Sequence, residues 1–246
     1  MKKIFAFTLA ETLMVMGIIG IVATLTIPNL NNSTGNKETI TKVKKMYAEL
    51  NDAQNRATAK YGPVPTWFVS DNCTTTSSLA CQKHYLKRIN KFLNVQKTCI
   101  DSDGGCFSSS SYPSSILSDG SSIYISEITD PNCARDRFNT GTGVLNCGHI
   151  IIDVDGPNKG KNAYGFDLFY LAITKDGIGL VYGDHYVDGE RPHFPNAISE
   201  CLIYGYACVN WILSKDNMDY IYSYNDPYNP KCKDGTDLTW ARGSCK

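Results

Sequence analysis

The first thirty residues, MKKIFAFTLAETLMVMGIIGIVATLTIPNL, place a basic tip before a long apolar run that is broken by one carboxylate, Glu11. Glu11 is the sole charge from Phe7 to Leu30, and these 24 residues make roughly 36 Å of helix, enough for a bilayer core of about 30 Å. The sequence therefore predicts a membrane-crossing helix over residues 7–30. An acid inside such a span costs on the order of 3 kcal/mol on insertion scales, so it needs a partner. A new amino terminus would supply one. If the chain is cut between Ala6 and Phe7, the α-amine of Phe7 is cationic, with a reference pKa of about 8. Glu11 lies four residues on, on the same helix face, where it can neutralise that amine or the amine of a neighbour shifted along the axis. The second arrangement builds a filament.

Lys2, Lys3, Ala6, Phe7, Thr8, Leu9 and Glu11 together resemble the N-terminal signature of type IV prepilins and type II secretion pseudopilins: a short basic leader, a small residue, Phe, Thr-Leu, and Glu as fifth mature residue. The resemblance implies cleavage after residue 6 by a prepilin peptidase, N-methylation of Phe7, and bundling of the apolar helices into a fibre. Ala6 departs from the glycine usual before the cut. Gly20 and Pro28 fall where the pilin helix carries helix-weakening residues, and Pro28 has no amide hydrogen to donate to the Thr24 carbonyl. These three positions, Glu11, Gly20 and Pro28, are the expected assembly residues. Two plainer readings stand beside this one. Thr8-Leu9-Ala10-Glu11 also fits a capping box that starts an ordinary single-pass anchor. A conventional secretory signal has a shorter apolar core than the one seen here.

Composition points to an exported domain behind this segment. The chain has 246 residues with 24 basic and 24 acidic side chains; the sequence shows no basic patch that asks for nucleic acid, and none is expected as a partner. All ten cysteines lie beyond residue 72, which indicates an oxidising compartment and a stapled, loop-rich fold. Lys2 and Lys3 would keep the N-terminus cytoplasmic and send the remainder outside. The expected localisation is the inner membrane as a single-pass precursor, then a periplasmic or extracellular filament. Expected partners are other pilin or pseudopilin subunits, the prepilin peptidase/methyltransferase and the membrane.

Farther along, NLNNSTGNK at 29–37 weakens the helical pattern, and Gly35 can interrupt it. Ile40, Val43, Tyr47, Leu50, Ala53 and Ala57 then recur at three- and four-residue spacing up to Tyr61, which predicts an amphipathic helix ended by Gly62-Pro63. A further helix is expected around Lys83–Leu93. Ile116–Ile125 reads as a hairpin on Asp119-Gly120, Phe169–Val181 as a second on Asp176-Gly177, and His149–Val154 as a strand between them. The expected domains are a leader (1–6), a transmembrane and assembly helix (7–30), an amphipathic spine helix (31–62) and a disulfide-rich exported headpiece (63–246). The expected fold class is α+β: a long N-terminal membrane and spine helix packed on an antiparallel sheet with stapled loops, as the pilin resemblance implies.

Asp153–Asp167, DVDGPNKGKNAYGFD, is dense in oxygen donors and glycine and resembles a segment common in pseudopilin-like headpieces. Asp153, Asp155, Asn158 and Asp167 offer hard oxygens to a calcium ion, but Tyr164 stands where an EF-hand needs its bidentate Glu. An Asx- and Gly-rich connection held by its own side chains is the preferred reading. Proximity suggests bridges Cys73–Cys81, Cys99–Cys106, Cys133–Cys147, Cys201–Cys208 and Cys232–Cys245, a connectivity that spacing alone does not decide. His84, His149, His185 and His193 show no zinc-ligand spacing, and there is no Gly-x-Ser-x-Gly elbow or phosphate loop, so no catalytic residue is assigned and no cofactor is expected. The expected role is a pilin-like structural subunit of a type IV pilus or a type II secretion pseudopilus. The rival is a membrane-anchored binding protein that makes contact through Tyr220, Tyr222, Tyr224 and Tyr228.

Overall fold

The computed structural model describes residues 9–69, 73, 79–100, 106, 112–134, 145–157, 159–181 and 197–245, with the side chains of 22–34, 69 and 197 outside that description. Two compact units are present, Met1–Glu38 and Thr39–Lys246. In the first, the described backbone is helical: helix α1 runs Leu9–Tyr61, and residues 29–37, including Gly35, do not interrupt it. Its side chains from Leu9 to Ile21 are exposed.

Those turns correct the expected membrane-crossing spine. Among the described residues no helix is long and apolar enough to cross a membrane. Beyond Pro28 helix α1 turns to Asn, Lys and Glu. The expected fold class, a membrane-spanning spine helix packed on the sheet, is thereby corrected for the described residues. The observed architecture is an antiparallel six-stranded sheet with several helices.

In the second unit the α1 periodicity does its work by burial. Val43, Met46, Leu50, Ala53 and Ala57 are at most 1% exposed. The helix stops at Gly62, whose φ of +84° no side-chain-bearing residue adopts cheaply, and whose N–H bonds the Thr58 carbonyl at 2.9 Å. Two shorter helices follow, α2 (Val64–Val69) and α3 (Leu79–Ile89), then a 3-10 turn at Asn90–Phe92.

The sheet is a meander in chain order, every neighbour antiparallel: β1 (Val95–Cys99), β2 (Ser114–Leu117), β3 (Ser122–Ile128), β4 (Asn146–Asp153), β5 (Leu168–Thr174) and β6 (Ile178–Gly179). Short turns make two of these connections. The Asp119-Gly120 turn joins β2 to β3, with Gly120 at φ +86°, and the Asp176-Gly177 turn joins β5 to β6. One face carries Ile123 and Ile125, Ile150 and Ile152, and Phe169, Leu171 and Ile173 into the core cluster shared with α1. Central strand β4 is buried along its whole length, which explains why Ile150–Ile152 shows no alternation. Helices α4 (Ala197–Tyr204) and α5 (Cys208–Lys215) and a 3-10 turn at Asp219–Ser223 complete the chain, α3 packing on β3 and α5 on β5.

Candidate functional site

Three places were singled out by the sequence, and the structure treats them differently. The first is the N-terminal helix. Ala6 and Phe7 lie outside the described residues, as does the side chain of Pro28. From Leu9 onward the large apolar side chains are open on every side: Leu9 is 80% exposed, Met14 71%, Met16 71% and Ile21 65%. A Cβ added at Gly17 or Gly20 would meet nothing within 4 Å, so small residues here leave open surface. A helix apolar all round is a buried helix, and these turns bury nothing.

The second place is the loop between β4 and β5. Asn158 lies outside the described residues. Asp167 is folded back on its own loop: its two carboxylate oxygens accept the backbone N–H groups of Lys161, Asn162 and Ala163, the last two at 2.7 Å. Asp153 is fully buried, accepts the Gly156 N–H at 3.0 Å and faces the Ser122 hydroxyl at 3.4 Å. Burial, then hydrogen bonding with Asp155, pushes the Asp153 carboxyl up to about 7. Among the described residues no group of three or more His, Cys, Asp or Glu is placed to hold a metal ion. Asp153 and Asp167 are thus engaged by the backbone of their own loop.

The third is the cysteine framework. Cys99–Cys106, Cys133–Cys147, Cys201–Cys208 and Cys232–Cys245 are bridged. Cys73 and Cys81 are both buried in the core cluster. The C-terminal bridge is seated by polar contacts: Asp219 accepts the Cys245 N–H at 2.7 Å, while Asn217 takes the Trp211 indole N–H at 2.9 Å and donates to the Gly243 carbonyl.

One pair escaped sequence reasoning. His149 on β4 is 1% exposed, and its Nδ1 lies 2.8 Å from Glu127 Oε1 on β3. The register sets these two residues opposite each other, just past a bulge between Ile125 and Glu127. No spacing within the sequence links them, because the partnership exists only once the strands are in register. The rings of Tyr170 and Tyr206 lie beside the imidazole, at 6.0 and 6.5 Å between centroids. Of the four tyrosines proposed as a contact surface, Tyr220 is wholly buried, with its hydroxyl donated to the Gly165 carbonyl at 2.8 Å, whereas Tyr222, Tyr224 and Tyr228 are exposed.

Comparison with known proteins locates the chain by its globular part. The sequence pattern of a family of unknown function, DUF6613, matches residues 29–169, more than half of the protein. The chain belongs to DUF6613. The matched region runs from the middle of α1 into β5, and so leaves out the N-terminal signature with Glu11. No curated protein and no solved structure matches.

Proposed function

We propose that this DUF6613 member is a pilin-like structural subunit that is processed after Ala6, exported and polymerised through its N-terminal turns into a type IV pilus or a type II secretion pseudopilus. The observation that carries this reading is the all-round exposure of the apolar turns from Leu9 to Ile21, following a basic tip and interrupted by Glu11. Exposed apolar surface on this scale is stabilised by burial against like surface, and a small-residue stripe at Gly17 and Gly20 allows close approach. Glu11 would meet the Phe7 amine of the adjacent subunit and so select the stagger. Four bridges support an oxidising destination. The work is assembly, with no catalytic step.

The test is incorporation. Glu11→Gln should leave the protein expressed and retained in the cell envelope yet absent from sheared filaments, and the wild-type N-terminus should read as methylated Phe7. Normal entry of the variant into filaments would overturn the reading. Exposed Tyr222, Tyr224 and Tyr228 favour a second reading, a surface binding protein. It would show as a subunit confined to filament tips or to the envelope.

A further inference from the structure

Whole-chain neutrality conceals a local imbalance. Between residues 53 and 100 the sequence holds seven Lys or Arg against a single acid, Asp71. The fold then concentrates several of these cations. The end of α1 brings Lys60, α3 brings Arg88 and the following 3-10 turn brings Lys91, with their charged groups 5.5, 5.9 and 5.4 Å from the centre of one ring, that of Tyr61. Arg88 also lies 5.8 Å from the Trp67 ring and Arg56 5.2 Å from the Phe92 ring. Arg56 has an acid within reach, Asp52 at 3.5 Å. Lys60 and Lys91 have none among the described residues, and both are exposed. Their effect is felt by Tyr61, whose phenol is drawn below its ordinary value, first by Lys91 and then by Lys60.

Like charges gathered at one ring repel, and the ring faces offset this by only about 0.5–1 kcal/mol each at exposed sites. A dense row of anions would remove the repulsion. We propose that this patch binds an acidic polysaccharide, its carboxylate or sulfate groups pairing with Lys60, Arg88 and Lys91. The rings argue for a glycan over a single-stranded nucleic acid, which needs open aromatic faces for its bases. Here Trp67 is 1% exposed and the cations sit over Tyr61 and Phe92. A bilayer surface is disfavoured too, since among the described residues between 53 and 100 the exposed large apolar side chain is Leu79, at the opposite end of α3 from Arg88. Four bridges suit an oxidising compartment, the extracellular one being where anionic glycans occur. The inference is independent of whether the chain enters filaments.

The experiment titrates the full chain with heparin and with polygalacturonate, at low and at physiological salt. Binding should weaken with salt. The double variant Lys60→Glu/Lys91→Glu should bind at least about tenfold more weakly, as expected for reversing two charges that face a polyanion, with an unchanged melting temperature. Lys175→Glu/Lys233→Glu, which reverses two cations elsewhere, should bind as wild type. The proposal is overturned by absence of saturable binding to both glycans, by equal loss in the two double variants, or by tighter binding to oligothymidylate or phosphatidylglycerol vesicles than to either glycan.

Discussion

The Tyr85 hydroxyl on α3 donates a 2.6 Å hydrogen bond to Gln54 Oε1 on α1, in a site closed to solvent at both residues. The same amide donates from Nε2 to the Thr174 carbonyl at the end of β5, 2.7 Å away. Gln54 thus joins two helices to the sheet with both ends of its amide satisfied. Burial holds the Tyr85 phenol far above its usual value, so it stays a donor at every accessible pH.

Removing one partner strands the other. Gln54→Leu leaves the Tyr85 hydroxyl and the Thr174 carbonyl without their partner in the core, and should cost about 1–3 kcal/mol in urea unfolding. Tyr85→Phe strands only Gln54 Oε1 and should cost less. A Gln54→Leu variant as stable as wild type would show that the site admits water.

Gly148 on β4 tolerates no side chain for a reason unrelated to its φ. An added Cβ would collide with the Glu127 carbonyl oxygen and lie 2.8 Å from Ile128 Cα, both backbone atoms of β3. Gly148→Ala must spread the central strand pair, so a loss of at least about 2 kcal/mol is expected. Because Glu127 is displaced, the His149–Glu127 contact should loosen as well, visible as a changed imidazole resonance in NMR.

Asp153 makes stability fall with rising pH. Its carboxyl titrates near 7 in the fold against 3.8 when unfolded, so the native state binds the extra proton between those values. The contribution is fully present below 3.8 and is lost as pH climbs through 7. Asp153→Asn should flatten this part of the profile, and its stability relative to wild type should improve from pH 5 to pH 8. An identical slope in the two proteins would mean that the proton resides elsewhere.

The bridges should carry much of the unfolded-state restraint. Cys232 and Cys245 close a loop with a sequence separation of 13, worth about 3 kcal/mol in the chain-entropy picture. Cys232→Ser/Cys245→Ser should lose that amount in chemical denaturation and free the tail that Asp219 holds. In the native wild type, without reductant, alkylation should reach none of the ten cysteines. Eight are bridged, and Cys73 and Cys81 are 3% and 0% exposed.

Much of the local structure was legible because it is written in short-range chemistry. The three- and four-residue spacing from Ile40 to Ala57, the stop at Gly62-Pro63, and the Asp-Gly turns at 119–120 and 176–177 depend on neighbours in the chain, and the structure places a helix end and two hairpins there. Four of the five proximity pairs are bridged in the structure, Cys99–Cys106, Cys133–Cys147, Cys201–Cys208 and Cys232–Cys245, as short loops close most readily. The apolar run was legible as composition, yet its length misled: a membrane-crossing spine was inferred from hydrophobicity, whereas none of the described helices is long and apolar enough to cross a membrane.

What only the tertiary structure decided is which distant residues share a place. Glu127 meets His149 through strand register, Gln54 meets Tyr85 and Thr174 through helix packing on the sheet, and Asp167 turns inward onto its own loop. The gathering of Lys60, Arg88 and Lys91 at Tyr61 belongs to the same class. A count of charges by segment would have flagged the basic stretch from 53 to 100, but a count over the whole chain cancels it. Sequence alone determines the local propensities and the supply of chemical groups. Their convergence depends on long-range packing and register, which no spacing along the chain encodes.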